Sequence, residues 1–78
     1  MSLQTLDSYE VLQSAMDSLR SRLGTGVNDV SCDYRNSVLY LCGWCNTFYQ
    51  KQLAQEAVRS VDGVLQVVNR IQVVARAK

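Results

Sequence analysis

At Val30 the spacing of apolar residues changes period, and this change constrains the fold more than any other feature of the chain. Before it, Val11, Leu12, Ala15, Met16, Leu19 and Leu23 share one helical face, with Gln13, Ser14, Asp17, Ser18 and Arg20 opposite. After it, Val30, Cys32 and Tyr34 alternate with Ser31, Asp33 and Arg35, and Leu39 and Leu41 alternate with Val38, Tyr40 and Cys42. That is the period of two of a strand. A helix from about Asp7 to Leu23 therefore leads into a hairpin. Asp7 with Glu10 forms a capping pair, Gly24 supplies the left-handed residue that closes the helix, and a mobile Thr25-Gly26 link follows. The hairpin turns within Arg35 to Ser37, where Asn tolerates a left-handed conformation. Either two-residue loop, Arg35-Asn36 or Asn36-Ser37, sets Val30, Cys32, Tyr34, Leu39 and Leu41 on one face.

A second helix opens at Asn46-Thr47, with Thr47 and Gln50 spaced as a capping box. Its apolar stripe is Leu53, Ala54, Ala57, Val58 and Val61, and Asp62-Gly63 ends it. Val64 to Val74 is β-branched and forms a third strand with an irregularity near Asn69, after which Ala75 to Lys78 frays. The order predicts an α+β fold, a two-layer α-β-β-α-β sandwich with two helices on one face of a three-stranded sheet and a right-handed crossover. At 78 residues the chain is one domain, near the lower end of what buries a self-sufficient core.

Val38-Leu39-Tyr40-Leu41-Cys42-Gly43 stands ahead of the Ala- and Gln-rich helix, and Val61-Asp62-Gly63-Val64-Leu65-Gln66-Val67-Val68-Asn69-Arg70-Ile71-Gln72-Val73 follows it. This pattern resembles the BON domain, a small module named for bacterial osmotically inducible and nodulation proteins. Leu41 and Gly43 match the family's strand-ending signature. Gly63, Val64, Val67, Asn69, Ile71 and Val73 match its Gly-Val-x-x-Val-x-Asn-x-aliphatic-x-Val element. The resemblance spans Leu6 to Val74 as one domain and implies the same element order. The chain departs from the pattern at Ser37, where the family usually has Gly, at Cys42, where it has a small polar residue, and in Trp44 and Cys45 after Gly43. What the resemblance implies is a non-catalytic binding module of the bacterial cell envelope or periplasm, associating with phospholipid surfaces or proteins. The N-terminus itself lacks the basic segment and apolar run of a signal peptide.

The chain has eight Lys and Arg, seven Asp and Glu, three Cys, no His and no Pro. Without His there is no His-based triad and no His-ligated zinc, and three thiols alone do not close a zinc shell, so neither metal nor cofactor is expected. A charge of +1 argues against a nucleic-acid partner, and the six Arg are scattered along the chain on what read as solvated faces. Paired carboxylates for acid–base work are missing. No catalytic residue, enzyme activity or small-molecule substrate is expected. Cys42-Gly43-Trp44-Cys45 is the one motif with a catalytic alternative, a thiol redox pair at a strand-to-helix junction. The missing Pro weakens it, since a thioredoxin-like site normally sets a cis-Pro against its thiols. Cys42 then becomes a small residue at the strand end, Cys45 a thiol in the connecting loop, and Cys32 a core hydrophobe.

Among the aromatic residues, Phe48 is expected in the core at the first turn of the second helix. Val38, Tyr40, Trp44 and Tyr49 form the candidate contact patch. With both helices on the Leu39/Leu41 face, Val38, Tyr40 and Trp44 lie on or beside the open sheet face, which is either a partner or membrane contact or is covered by a loop or the N-terminal segment. A further alternative is an oligomerising structural domain whose third strand pairs with another copy.

Overall fold

Asp7 caps the first helix, α1 (Ser8–Leu23), in a reciprocal capping box with Glu10, and the Gly24 N–H donates to the Arg20 carbonyl at the other end. The structure is a computed structural model that describes residues 7–74, so Leu6 and residues 75–78, Arg76 included, lie outside the described residues. Val11, Ala15 and Leu19 are buried along α1, and Leu12, Met16 and Leu23 are half-buried beside them. The expected Thr25-Gly26 link is instead part of a 3-10 turn over Gly24–Asp29.

Strands β1 (Val30–Arg35) and β2 (Val38–Cys45) pair antiparallel with Tyr34 opposite Leu39 and Cys32 opposite Leu41. The turn is Asn36-Ser37, and both residues have positive φ, 53° and 65°. Two left-handed residues in a two-residue loop match the right-handed twist of the flanking strands. Ser37 is held there at a steric cost that Gly avoids. Ser37→Gly is expected to stabilise the domain by about 0.5–1 kcal/mol, read as a raised urea midpoint at unchanged slope.

Helix α2 (Phe48–Arg59) starts where expected. The Thr47 hydroxyl accepts from the Gln50 N–H at 3.1 Å, while the Gln50 side chain accepts from the Asn46 N–H at 2.9 Å, one residue earlier than a standard capping box. The helix ends at Arg59, so Val61 and Gly63 belong to the following turn rather than to the helix. The chain then runs parallel to β2 as β3 (Gln66–Asn69) and β4 (Gln72–Val73). The sheet thus counts four strands where three were expected. The irregularity expected near Asn69 is a break at Arg70-Ile71 that leaves the register against β2 unchanged on either side.

Pairing parity sets Val30, Cys32, Tyr34, Leu39, Leu41, Val67, Ile71 and Val73 on one sheet face, and the helices close over it. Leu19 from α1 and Ala54, Ala57 and Val58 from α2 join Leu39, Leu41, Cys45 and Ile71 in one buried cluster. Each fully buried Leu or Ile there contributes about 1.5–3 kcal/mol.

Candidate functional site

Ser31, Asp33 and Arg35 of β1, Val38, Tyr40, Cys42 and Trp44 of β2, and Gln66, Val68 and Gln72 beyond them occupy the sheet face opposite the helices. Tyr40 lies at its centre, between Asp33 on β1 and Val68 on β3. Two guanidiniums flank its ring, Arg35 with Cζ 4.7 Å from the centroid and Arg70 at 5.4 Å. Such contacts contribute about 0.5–1 kcal/mol each at exposed sites, and they hold both cations on this face. Asp33 is the carboxylate beside them. One oxygen accepts from the Tyr34 N–H at 2.9 Å and the other meets Arg35 Nε at 3.3 Å.

Val38, Tyr40 and Trp44 are half-buried among these neighbours. The structure brings these three expected patch residues together on the open face, but not Tyr49. That side chain is 70 % exposed on α2, which packs against the other side of the sheet. Phe48 is 75 % exposed rather than in the core. At 100° per residue it stands about 120° around the helix from Ala54, outside the buried stripe. Arg35 and Arg70 are the residues that chain order alone hides. The hairpin parity that groups Arg35 with Tyr40 was the available signal.

The thiols do not converge. Cys42 is exposed on the open face, whereas Cys45, three residues along the same strand, turns to the helix side, is buried, and donates to the Thr47 carbonyl at 3.2 Å. Cys45 therefore belongs to β2 and not to a connecting loop, and the two sulfurs of the redox alternative face opposite sides of the sheet. Cys32 packs its sulfur 3.6 Å from that of Met16. Burial first, and then neighbouring Cys42, pushes its thiol up to about 11 from 9.0. At pH 7.5 iodoacetamide is expected to label folded protein on Cys42 alone, with Cys32 and Cys45 reacting only on unfolding, as peptide mass mapping reads directly. Since the folded form holds the Cys32 proton more tightly, its stabilising contribution is complete below pH 9 and lost as pH rises towards 11. Cys32→Ala should flatten that alkaline fall.

The glycines and Asn of the second half build the frame under this face. Gly43 sits at φ +121°, and a Cβ there would meet the Asp29 carbonyl oxygen at 2.0 Å. Gly63, at φ +95°, offers its carbonyl to the Tyr34 hydroxyl at 2.5 Å. The Asn69 amide donates to the Lys51 carbonyl at 3.0 Å and to Gln55 at 3.2 Å, and its oxygen accepts from the Ile71 N–H at 3.1 Å across the strand break. The BON domain family model matches residues 11–75. The chain belongs to the BON domain family. A comparison with curated proteins returns no match. The positions that carry the BON resemblance are thus largely architectural. Gly43 admits the start of β1, Gly63 the turn into β3, Asn69 ties β3 to α2, and Val67, Ile71 and Val73 face the helices. Membership makes this a small module of a generally non-catalytic binding family. No described helix is long and apolar enough to cross a membrane.

Proposed function

We propose that this BON domain is a non-enzymatic interaction module that contacts anionic phospholipid surfaces through its open sheet face. The observation that carries the reading is Tyr40 held between Arg35 and Arg70, with Val38 and Trp44 alongside on the same face. Aromatic rings and Arg are the side chains suited to a headgroup layer, where a ring end stays apolar and a guanidinium meets phosphate. Each cation near an anionic leaflet adds about 1 kcal/mol, so two of them, partly offset by Asp33, give weak and reversible adsorption by one copy. Tight binding then requires several copies or an attached domain.

Co-sedimentation with vesicles tests the reading. The chain is expected to pellet with phosphatidylglycerol-containing vesicles at low salt, to be released as salt shortens the screening length, and to ignore pure phosphatidylcholine. Arg35→Ala combined with Arg70→Ala should lower the bound fraction at least threefold with the fold intact by circular dichroism. Equal binding by that variant would remove the open face from the mechanism, and no binding to either vesicle would remove the lipid.

A further inference from the structure

The sheet has two edges, and they are built differently. On β1, Asp33 uses one carboxylate oxygen to occupy the Tyr34 N–H and the other to hold Arg35, so charge guards that edge. On the opposite edge, Gly63 to Asn69 contains no charged residue. There the Arg70 and Val74 N–H groups donate inward to the Leu41 and Cys45 carbonyls, so strand alternation turns the backbone of Val67, Asn69 and Ile71 outward. Asn69 covers the Ile71 N–H with its own side chain. The Val67 backbone remains the open centre of the edge.

This edge borders a groove against α2. Two shallow depressions of about 360 and 320 Å³ share Gln55 and run together along it, one bounded by Phe48 and Asn69, the other by Leu65 and Val67. Leu65 is 85 % exposed and Phe48 75 %, so each depression has a large apolar side chain standing out of the surface. Inside, Glu56 is tied to Arg59 at 3.3 Å, whereas Lys51 makes no ion pair among the described residues. The groove therefore carries one uncompensated cation.

We propose that the outer edge of β3 and this groove take an extended peptide segment as an added strand, with apolar residues against Leu65 and Phe48 and an acidic residue at Lys51. Edge addition of this kind draws affinity from main-chain hydrogen bonds and selectivity from alternate side chains. A second copy fits less well. β3 offers four residues, about 13 Å of edge at ~3.3 Å per residue, room for only a few main-chain hydrogen bonds, whereas stable association of folded domains buries roughly 800 Å² per partner and needs much more surface than this edge. A flexible peptide instead lays its own side chains along the groove.

A display library of random dodecapeptides selected on the full chain, followed by titration of the leading synthetic peptide into isotope-labelled protein, tests this. Enriched peptides should alternate apolar residues and include Asp or Glu. Amide signals of Leu65 to Asn69 and Lys51 should shift while Tyr40 and Trp44 stay, and Val67 amide exchange should slow at least tenfold. Leu65→Asp, at a position 85 % exposed, should weaken binding at least tenfold with the fold intact by circular dichroism. Lys51→Glu should do the same for the acidic peptide and be rescued by a peptide with Lys in its place. No enrichment, equal binding to Leu65→Asp, or shifts confined to Tyr40 and Trp44 would overturn the proposal. A peptide-free rise in mass with concentration that Leu65→Asp abolishes would assign the edge to a second copy instead. Vesicle binding should be unchanged in Leu65→Asp, so this proposal and the lipid reading fail separately.

Discussion

Gly43→Ala is expected to destabilise the domain by about 3–6 kcal/mol, a sum of left-handed backbone strain and a clash that cannot relax. The added methyl would lie 2.0 Å from the Asp29 carbonyl oxygen and 3.0 Å from both the Asp29 carbonyl carbon and Val30 Cα, all of them backbone atoms. No rotamer change relieves such an overlap. The start of β1 would have to move off β2, where Val30 now pairs with Gly43 and is buried. A domain of this size has roughly 4–12 kcal/mol of total stability at 0.05–0.15 kcal/mol per residue, so the variant should be largely unfolded or close to it. Gly24→Ala is the matched control. It shares a positive φ, 59°, but its Cβ would meet nothing within 4 Å, so only backbone strain of about 1–3 kcal/mol applies. Urea unfolding followed by circular dichroism separates the two. A Gly43→Ala midpoint at or above that of Gly24→Ala would contradict the close approach.

Asn69→Ala should cost about 2–4 kcal/mol, because it removes three hydrogen bonds and strips the Ile71 N–H of its acceptor beside a fully buried side chain. Asn69→Asp discriminates the roles of the two amide atoms. It keeps an acceptor for the Ile71 N–H but turns an acceptor toward the Lys51 carbonyl and the Gln55 oxygen, where Asn69 now donates. It should therefore be as damaging as Ala at neutral pH. Loss of helix α2 docking should appear as faster amide exchange in both α2 and β3. An Asn69→Asp variant as stable as the parent would mean that the contacts to α2 contribute little.

Much of this frame is visible in the sequence because two physical signals agree along most of the chain. The shift from a 3.6 to a 2.0 period separates α1 from β1 and β2. Asp7, Gly24, Thr47 and Asn36 then mark boundaries through hydrogen-bonding or backbone chemistry that acts locally. Where structure and sequence pattern differ, the causes are equally local. In the sequence Gly43 reads as a strand end and puts Cys45 in a loop, whereas the Gly43 φ of +121° lets β2 continue past a close backbone contact. Phe48 is a large apolar residue beside a cap, and size suggested burial, but its phase on the helix points it away from the sheet. Val61 continues the apolar stripe of α2 without continuing the helix, which stops at Arg59.

The candidate face was only half legible. Alternation puts Val38, Tyr40 and Trp44 on one sheet face, where the structure also has them, whereas Tyr49, near them in sequence, stands on α2. Alternation already sets Arg35 on the Tyr40 face, but Arg70 is far from both in the chain. Only the pairing of β2 with both β1 and β3 brings the two cations to either side of one ring. A near-neutral net charge concealed a local one.

Trp44 is the chain's single tryptophan and lies on that face, so its emission tests the central claim most directly. Titration of the full chain with phosphatidylglycerol-containing vesicles should shift Trp44 emission to the blue and shield it from iodide. Arg35→Glu with Arg70→Glu should abolish the shift, and phosphatidylcholine alone should produce none. An emission spectrum unmoved by anionic vesicles that nonetheless pellet the protein would contradict the account, because the lipid would then be bound somewhere other than the open sheet face.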